Sequence, residues 1–198
     1  MTAWRSGASM ERMPTIPRRV VTGHDSHGVS VFALDGPVPV VRTAPDGAFF
    51  YEIWSTDAIP APIDTGPVNT GPVNTGPADP GVTDPTLGAL TVPPTPGGTK
   101  IRINEFPPGV VSPVHRTQSV DYGIVLSGEV VLVLDDAETV LRAGDVVVQR
   151  GTNHRWENRS PQPARMAFIL IDGAFTQGLL ETLGSGIPGG LLHDPMRP

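Results

Sequence analysis

The sequence predicts an all-β domain, either a sandwich or a small barrel. Short apolar runs recur at close spacing along residues 100–171, and glycine-containing turns such as Ser127-Gly128 separate them. Many short strands joined by such turns are typical of sandwiches and barrels. His115 and His154 each lie in or beside one of these runs. We therefore expect a polar site inside the barrel.

Composition limits the classes of partner. The chain has 198 residues, which is enough for one domain with a core. Its formal net charge of -6 argues against nucleic acid, because phosphate binding needs positive charge. It has no basic amphipathic stretch and no long apolar run, so no membrane contact is expected. The absence of cysteine and of a signal-peptide pattern predicts a cytoplasmic location.

The N-terminal part is predicted to be an arm followed by strands. Residues 1–17 show no periodicity and are expected to form a loose arm. Residues 18–55 contain three predicted strands, at Arg19–Thr22, Val29–Phe32 and Phe49–Ser55. His24 and His27 lie in the turn between the first two strands. A loop could present both to a ligand, but a solvated turn is the favoured interpretation.

Residues 56–98 are rich in proline and glycine. Within them Thr-Gly-Pro-Val-Asn occurs at 65–69 and again at 70–74. Proline removes a backbone donor and fixes φ, so neither helix nor central strand is expected. We predict an irregular surface loop with polyproline-like backbone. The loop could be a lid over the barrel, but a tolerated insertion is the favoured interpretation, because loop length costs little stability.

The strand pattern is densest in residues 99–175, which are predicted to be the barrel core. Strands are predicted at 100–106, 122–126, 129–134, 138–141, 146–149, 154–158 and 165–171. The last of these is almost wholly apolar, as a strand covered on both faces would be. A short helix is predicted at Phe175–Leu183, packed on the outside of the barrel. The rest of residues 176–198 is predicted to be an irregular tail.

Three side chains from distant parts of the sequence are predicted to meet inside the barrel. Side chains two apart in a strand share a face, so Thr117 points inward if His115 does. On a later strand, His154 and Trp156 share a face. Asp121 follows His115 after a corner. Two imidazoles and one carboxylate could form a facial metal site with positions left for substrate.

The same residues resemble the two motifs of the cupins. The first motif is framed by two glycines and holds two histidines and a glutamate, at positions occupied here by Gly109, His115, Thr117, Asp121 and Gly128. The second motif matches at Gly144, Gly151, His154 and Asn158. The resemblance covers about residues 100–172. It implies a cupin double-stranded β-helix, a jelly-roll barrel, with extra N-terminal strands, and it implies a homodimer.

The match departs from the cupin pattern at three places. Thr117 stands where a second histidine is usual, and Arg150 replaces a proline in a slightly shortened second motif. Asp121 replaces glutamate, which shortens the reach by about 1.5 Å. The metal ligands implied are therefore His115, Asp121 and His154, enough for Fe, Mn, Ni or Zn with water. The alternative is a metal-free barrel with two hydrogen-bonded interior histidines.

Four residues are assigned to substrate contact. Trp156 could stack on a planar substrate, although interior packing is the more common role. Arg102 could hold a substrate carboxylate if it points inward, as could Arg165, although an arginine on a strand is usually solvated. Thr117 could hydrogen-bond a metal-bound water. Phe168 belongs to the apolar face that is expected to line the barrel.

The resemblance extends to small cupins that accompany polyketide and other secondary-metabolite pathways. It implies an enzyme acting on a small polyketide-like substrate, by metal-assisted dehydration or isomerisation. His115, Asp121 and His154 are the candidate catalytic residues, with the metal as Lewis acid and an unligated His115 or Asp121 as general acid or base. The alternatives are a cupin oxygenase or oxidoreductase using Fe(II), a metal-free binding protein, and a structural dimer with a filled barrel.

Overall fold

A computed structural model describes residues 15–63, 84–88, 91–183 and 191–192. Its strands are β1 (Arg18–His24), β2 (Ser30–Pro37), β3 (Val41–Thr43), β4 (Phe49–Thr56), β5 (Thr99–Phe106), β6 (Arg116–Thr117), β7 (Ser119–Ser127), β8 (Glu129–Val133), β9 (Glu138–Arg142), β10 (Val146–Arg150), β11 (Arg155–Glu157), β12 (Ala164–Asp172) and β13 (Leu191–Leu192). A 3₁₀ turn spans Pro85–Leu87 and helix α1 spans Gln177–Leu183. Across these described ranges, no helix has the length and apolar character needed to cross a membrane.

Two facing sheets form the barrel. The larger has the strand order β10-β7-β12-β5-β4-β3, and the smaller has the order β11-β8-β9. Their inner faces share one apolar core, which includes Phe106, Val125, Val130, Leu132, Trp156, Met166, Phe168 and Leu170. Alternate side chains of a strand point to opposite faces, so every second residue of β12 enters this core. The all-β barrel prediction is confirmed.

Most predicted strands are present, and the differences concern short strands and the covering of β12. Strand β3 was not predicted, because three residues carry too little pattern. Strand β13 lies in the tail that was expected to be irregular, and it pairs in parallel with β6. The expectation that β12 is covered on both faces is wrong. Its outward residues, among them Ile169 and Ile171, are only half-buried.

The turn at Ser127-Gly128 does not join a hairpin. Strand β7 pairs with β10 and β12, whereas β8 pairs with β9 and β11. The turn therefore carries the chain from the larger sheet to the smaller one. Gly128 has a φ of +72°, and a Cβ there would lie 2.8 Å from the Cα of Ala164. Glycine is required at this crossing.

The N-terminal hairpin is fastened by a buried ion pair. Strands β1 and β2 pair in antiparallel fashion. The Arg19 guanidinium donates to both carboxylate oxygens of Asp84, at 3.2 and 2.5 Å, and to the carbonyl of Ile53 at 3.1 Å. Residues 1–14 of the predicted arm and the 65–77 repeat lie outside the described residues, so the arm and the choice between lid and insertion stay predictions.

Helix α1 is shorter than predicted and does not pack as expected. It begins at Gln177 rather than near Phe175. None of its residues is buried, and Leu179 and Leu180 are 38% and 40% exposed. The expectation that these leucines pack on the barrel is therefore wrong. Residues 184–190 and 193–198 of the predicted tail lie outside the described residues.

Candidate active site

His115 and His154 lie side by side on the wall of the barrel interior. The backbone N–H of each donates to the carbonyl of the other, and both N···O distances are 2.9 Å. Directly opposed residues of an antiparallel pair direct their side chains to the same face. The two ring centroids are 4.3 Å apart, with the ring planes at 54°. The structure thus brings together the two imidazoles that the sequence spacing placed in one site.

The backbone fixes which ring nitrogen carries the proton. Nδ1 of His115 lies 2.9 Å from the carbonyl oxygen of Pro113, and Nδ1 of His154 lies 2.9 Å from that of Thr152. A carbonyl oxygen can only accept, so each Nδ1 donates. In the neutral rings Nε2 therefore holds the lone pair. Both histidines present an unprotonated nitrogen that can accept a proton.

Burial keeps both rings neutral. Desolvation lowers the pKa of His115, and the positive charge of Arg102 lowers it further. Desolvation also lowers the pKa of His154, to about 4, with an added contribution from the neighbouring His115. Desolvation disfavours the charged form of an imidazole. At neutral pH the pair therefore consists of two bases rather than of an imidazolium and a base.

Asp121 faces the same interior from strand β7. Its Oδ2 accepts a hydrogen bond of 3.3 Å from Oγ1 of Thr117. Its Oδ1 is buried and has no hydrogen-bond partner in the described part of the chain. Burial raises the pKa of the Asp121 carboxyl. The group is therefore more easily protonated than an exposed aspartate, and it can donate as well as accept.

The metal-ligand set expected from the sequence is not assembled. Across residues 15–63, 84–88, 91–183 and 191–192, no three His, Asp or Glu side chains form a group that could hold a metal ion. Asp121 has a shorter side chain than the usual glutamate, and its carboxyl is engaged by Thr117. The donors present fit a pair of imidazoles with a separate acid, and they do not fit a three-ligand centre.

A cavity of about 330 Å³ lies between the two sheets. His115, Thr117, Asp121, His154 and Arg102 all line it, together with the apolar side chains of Phe50, Phe106, Trp156, Phe168 and Leu170. This volume is at the lower end of small-molecule sites. The hypothesis of a barrel filled by its own side chains is therefore wrong.

The aromatic wall of the cavity is built around Trp156. Its ring meets that of Phe168 edge to face, with centroids 5.4 Å apart and planes at 68°. It meets the ring of His154 in a similar way at 5.9 Å. Edge-to-face contacts of this kind hold rings in fixed orientations. Trp156 thus packs in the core and also lines the cavity, so interior packing and contact with a substrate are compatible roles.

The two candidate arginines have different environments. Arg102 is 4% exposed, points into the cavity and lies 4.9 Å from the ring of Phe50. Arg165 instead donates from Nε to Glu105 at 2.6 Å and covers the ring of Tyr51. Arg165 is therefore part of a structural ion pair, and Arg102 alone can meet a ligand in the cavity.

Sequence reasoning missed two cavity residues, Asn104 and Gln149. Both are buried and line the cavity, and each has one amide atom without a hydrogen-bond partner among the described residues. Gln149 is the cross-strand neighbour of Asp121. Their signal was present, because Asn104 lies two residues after Arg102 and Gln149 is a polar residue at the end of an apolar strand.

His24 and His27 play no part in this site. They lie in and beside the turn between β1 and β2, and neither lines the cavity. The carboxylate of Asp25 accepts from the backbone N–H groups of His27 and Val29, at 2.8 and 2.9 Å. A turn closed by an aspartate side chain in this way needs no ligand.

Comparison with known proteins gives consistent relatives. The family described as "Cupin domain" matches residues 102–171. The chain is 38% identical over 162 residues to "Phomopsin biosynthesis cluster protein C'" of Diaporthe leptostromiformis, covering 79% of this chain and 78% of the relative. It is 34% identical over 183 residues to "Cupin-domain-containing oxidoreductase fogC" of Aspergillus ruber, covering 86% and 83%. A solved Cupin 2 conserved barrel domain protein from Salinispora arenicola is 28% identical, with a TM-score of 0.36 over 37% of this chain and 63% of that one.

Proposed function

This chain belongs to the cupin family, and we propose that it is an enzyme of secondary metabolism that moves a proton on a small, largely apolar substrate. The observation that carries the proposal is the pair of neutral imidazoles, His115 and His154, on the wall of a largely apolar cavity. The name of the Diaporthe leptostromiformis relative, which refers to a biosynthesis cluster, supports the metabolic setting.

Dehydration or isomerisation is the reaction class that these groups support best. His115 is the proposed base, because it is less buried than His154, whose pKa falls to about 4. His154 accepts a hydrogen bond from the substrate through Nε2. Asp121, whose pKa is raised by burial, is the proposed acid that returns a proton or protonates a leaving hydroxyl. Thr117, Trp156 and Phe168 are proposed to position the substrate.

The experiment is replacement of the gene in its producing organism by His115→Ala and His154→Ala alleles. We expect the pathway product to fall by about 100-fold or more in each, because His115→Ala removes the proposed base and His154→Ala removes the ring that holds the substrate beside it. A precursor should accumulate. The matched control is His24→Ala, which removes an imidazole from the β1–β2 hairpin outside the cavity. If both the His115→Ala strain and the His154→Ala strain made normal amounts of product, the proposal would be refuted.

An oxidoreductase is the second candidate, and the name of the Aspergillus ruber relative favours it. The accumulated precursor separates the candidates by mass. Isomerisation leaves the mass unchanged and dehydration removes one water, whereas oxidation removes hydrogen or adds oxygen. A binding protein without activity would return its ligand unchanged after incubation with the purified protein.

Metal dependence is tested separately. No step is assigned to a metal, because the described residues do not gather three ligands. We expect protein purified without a metal-affinity step to form product after dialysis against EDTA as well as before. Elemental analysis that finds one tightly bound ion per chain, absent from His154→Ala, would contradict this and restore the metal-assisted mechanism.

A homodimer is the proposed assembly. The resemblance to the cupins implies it, and the outer face of β7 and β10 carries exposed Tyr122, Val146 and Val148, which a second copy would cover. Light scattering should give twice the chain mass for the native protein. Val148→Glu should shift it toward the monomer. A monomeric native protein at micromolar concentration would refute the dimer.

A further inference from the structure

We infer that the substrate carries an anionic oxygen group, a carboxylate or an ionised enol or phenol, and that Arg102 binds it inside the cavity. The inference rests on the proposed function, because it concerns the same cavity and names the class of molecule that enters it. It adds a charge requirement that proton transfer by the imidazole pair does not itself need.

The hydrogen bonding of Arg102 is incomplete. Arg102 lies on β5 with its guanidinium in the cavity, where Nη2 donates to the carbonyl oxygen of Val92 at 3.1 Å. Nε and Nη1 are buried and have no partner among the described residues. Buried donors without acceptors are rare in proteins, because each loses its hydration without replacement. A ligand oxygen would supply the missing acceptor.

The charge of Arg102 is also incompletely balanced. It makes no ion pair within the described residues. Burial lowers its pKa. The carboxylates of Glu52, its buried cross-strand neighbour on β4, and of Asp121 oppose this lowering, but neither forms an ion pair with Arg102. Of these two carboxyls, Asp121 has its own pKa raised by burial, so it compensates poorly. A buried cation is favourable only when a counter-charge accompanies it.

Neighbouring cations increase the excess of positive charge. Lys100 lies two residues before Arg102, and its Nζ donates to the carbonyl and hydroxyl of Thr91, both at 2.6 Å. Burial, followed by the charge of Arg102, lowers the pKa of Lys100 to about 8. Arg42 also contributes to that lowering. The hydrogen-bond partner of Lys100 is neutral, and the carboxylate of Glu52 offsets only part of the positive charge of these three groups. The positive potential at this end of the cavity favours one.

The surrounding wall indicates how the rest of the molecule lies. Phe168 on β12 is the cross-strand neighbour of Arg102, and β12 separates β5 from β7, which carries Asp121. Two strand spacings and an offset of two residues along the strand, together about 12 Å, therefore separate the backbones at Arg102 and Asp121. A flat ring or short chain lying on Phe168 would reach Arg102 with its anionic oxygen and Asp121 or Gln149 with a hydroxyl or carbonyl. The cavity thus suits a small acid with a second oxygen function.

The test is calorimetric titration of the full chain with benzoate and with benzamide, two probes of nearly equal shape that differ in charge. We expect benzoate to bind about tenfold more tightly or better, because hydrogen bonds to charged groups are the stronger class. In Arg102→Gln the preference should disappear. Arg150→Gln, which removes an exposed arginine next to Gln149 on β10, is the matched control and should retain it. Titration with 4-nitrophenol above and below its own ionisation then separates carboxylate from phenolate recognition.

A second variant tests the inference even if Arg102→Gln loses benzoate binding because its fold is disturbed. Arg102→Met removes a buried, incompletely paired cation, so its melting temperature should equal or exceed that of the native protein. A structural arginine would instead lower it on removal. Equal affinities for benzoate and benzamide, no benzoate binding at millimolar concentration, or a preference that survives in Arg102→Gln would overturn the inference. None of these results depends on turnover, so failure of the His115→Ala and His154→Ala experiment remains distinguishable.

Discussion

The two walls of the cavity treat their polar side chains differently. The imidazole wall, formed by His115, His154 and Trp156, has both Nδ1 atoms hydrogen-bonded to backbone carbonyls and its two histidines paired through the backbone. The sheet wall is formed by Arg102, Asn104, Asp121 and Gln149. Each of these four keeps at least one buried polar atom with no partner in the described part of the chain.

This contrast separates the side chains that the backbone holds in place from those left open to a ligand, and Asp121, the proposed acid, belongs to the second set. Rings whose Nδ1 is bound to a backbone carbonyl are held in one tautomer and one orientation, which is what a proton-transfer group requires. A buried polar atom without a partner raises the free energy of the folded protein, and a ligand that supplies the partner removes this cost. The imidazole wall is therefore built before substrate arrives, whereas the sheet wall is completed by it.

Removal of the imidazole wall should have the largest effect. We expect His115→Ala and His154→Ala each to lower turnover by about 10² to 10⁴-fold. The double variant should lose little more than either single one, because residues that act as a unit are strongly non-additive. Rates of product formation from the accumulated precursor give the measurement. Losses that multiply in the double variant would show that the two rings act independently.

Acid should destabilise the protein through His154, with a smaller effect than loss of catalysis. Its pKa is lowered to about 4 in the folded state, against about 6.5 for an unfolded chain. Below 6.5 the unfolded state binds the extra proton, so stability falls as the pH drops from about 6.5 to 4. The loss is up to about 3 kcal/mol. Urea denaturation across this range measures it, and His154→Gln should flatten the dependence. An equally steep curve in that variant would assign the loss to other groups.

Two asparagines allow a direct comparison of a side-chain amide with hydrogen-bond partners and one without, and the expected effect on stability is smaller. Asn158 donates from Nδ2 to the carbonyls of Phe106 and Gln162, at 2.7 and 2.8 Å, and accepts at Oδ1 from Ser160. Asn158→Ala should therefore cost about 2 kcal/mol or more of unfolding free energy. Asn104→Ala, which removes an amide whose Oδ1 has no described partner, should cost less than about 1 kcal/mol. Equal losses would mean that the sheet wall is structural.

The imidazole wall could be predicted from the sequence because it depends on local rules. Strand alternation places His154 and Trp156 on one face, and two glycine-framed segments deliver the two histidines. The inward position of Asp121 follows from the same alternation. The spacing of residues along the sequence does not give the distances between their side-chain donor atoms in the fold. A metal centre needs three donors within bonding reach of one point, and the short carboxyl of Asp121 meets Thr117 instead.

The sheet wall and the strand pairing were harder to predict. Polar residues on strands usually face solvent. The signals at Asn104 and Gln149 were therefore too weak to place these residues inside, and Arg102 was assigned only conditionally. The change of sheet at Gly128 was missed because the apolar pattern of a strand does not identify its partner. The choice depends on contacts with β9 through β12, which are distant in the sequence.

The most direct test of the account is the protonation state of the two histidine rings. Nitrogen-15 NMR of the ring nitrogens at neutral pH should show His115 and His154 as neutral rings with the proton on Nδ1, and His154 should remain neutral well below pH 6.5. An imidazolium at neutral pH, or a proton on Nε2 of either ring, would contradict the proposal that this cavity is bordered by two bases.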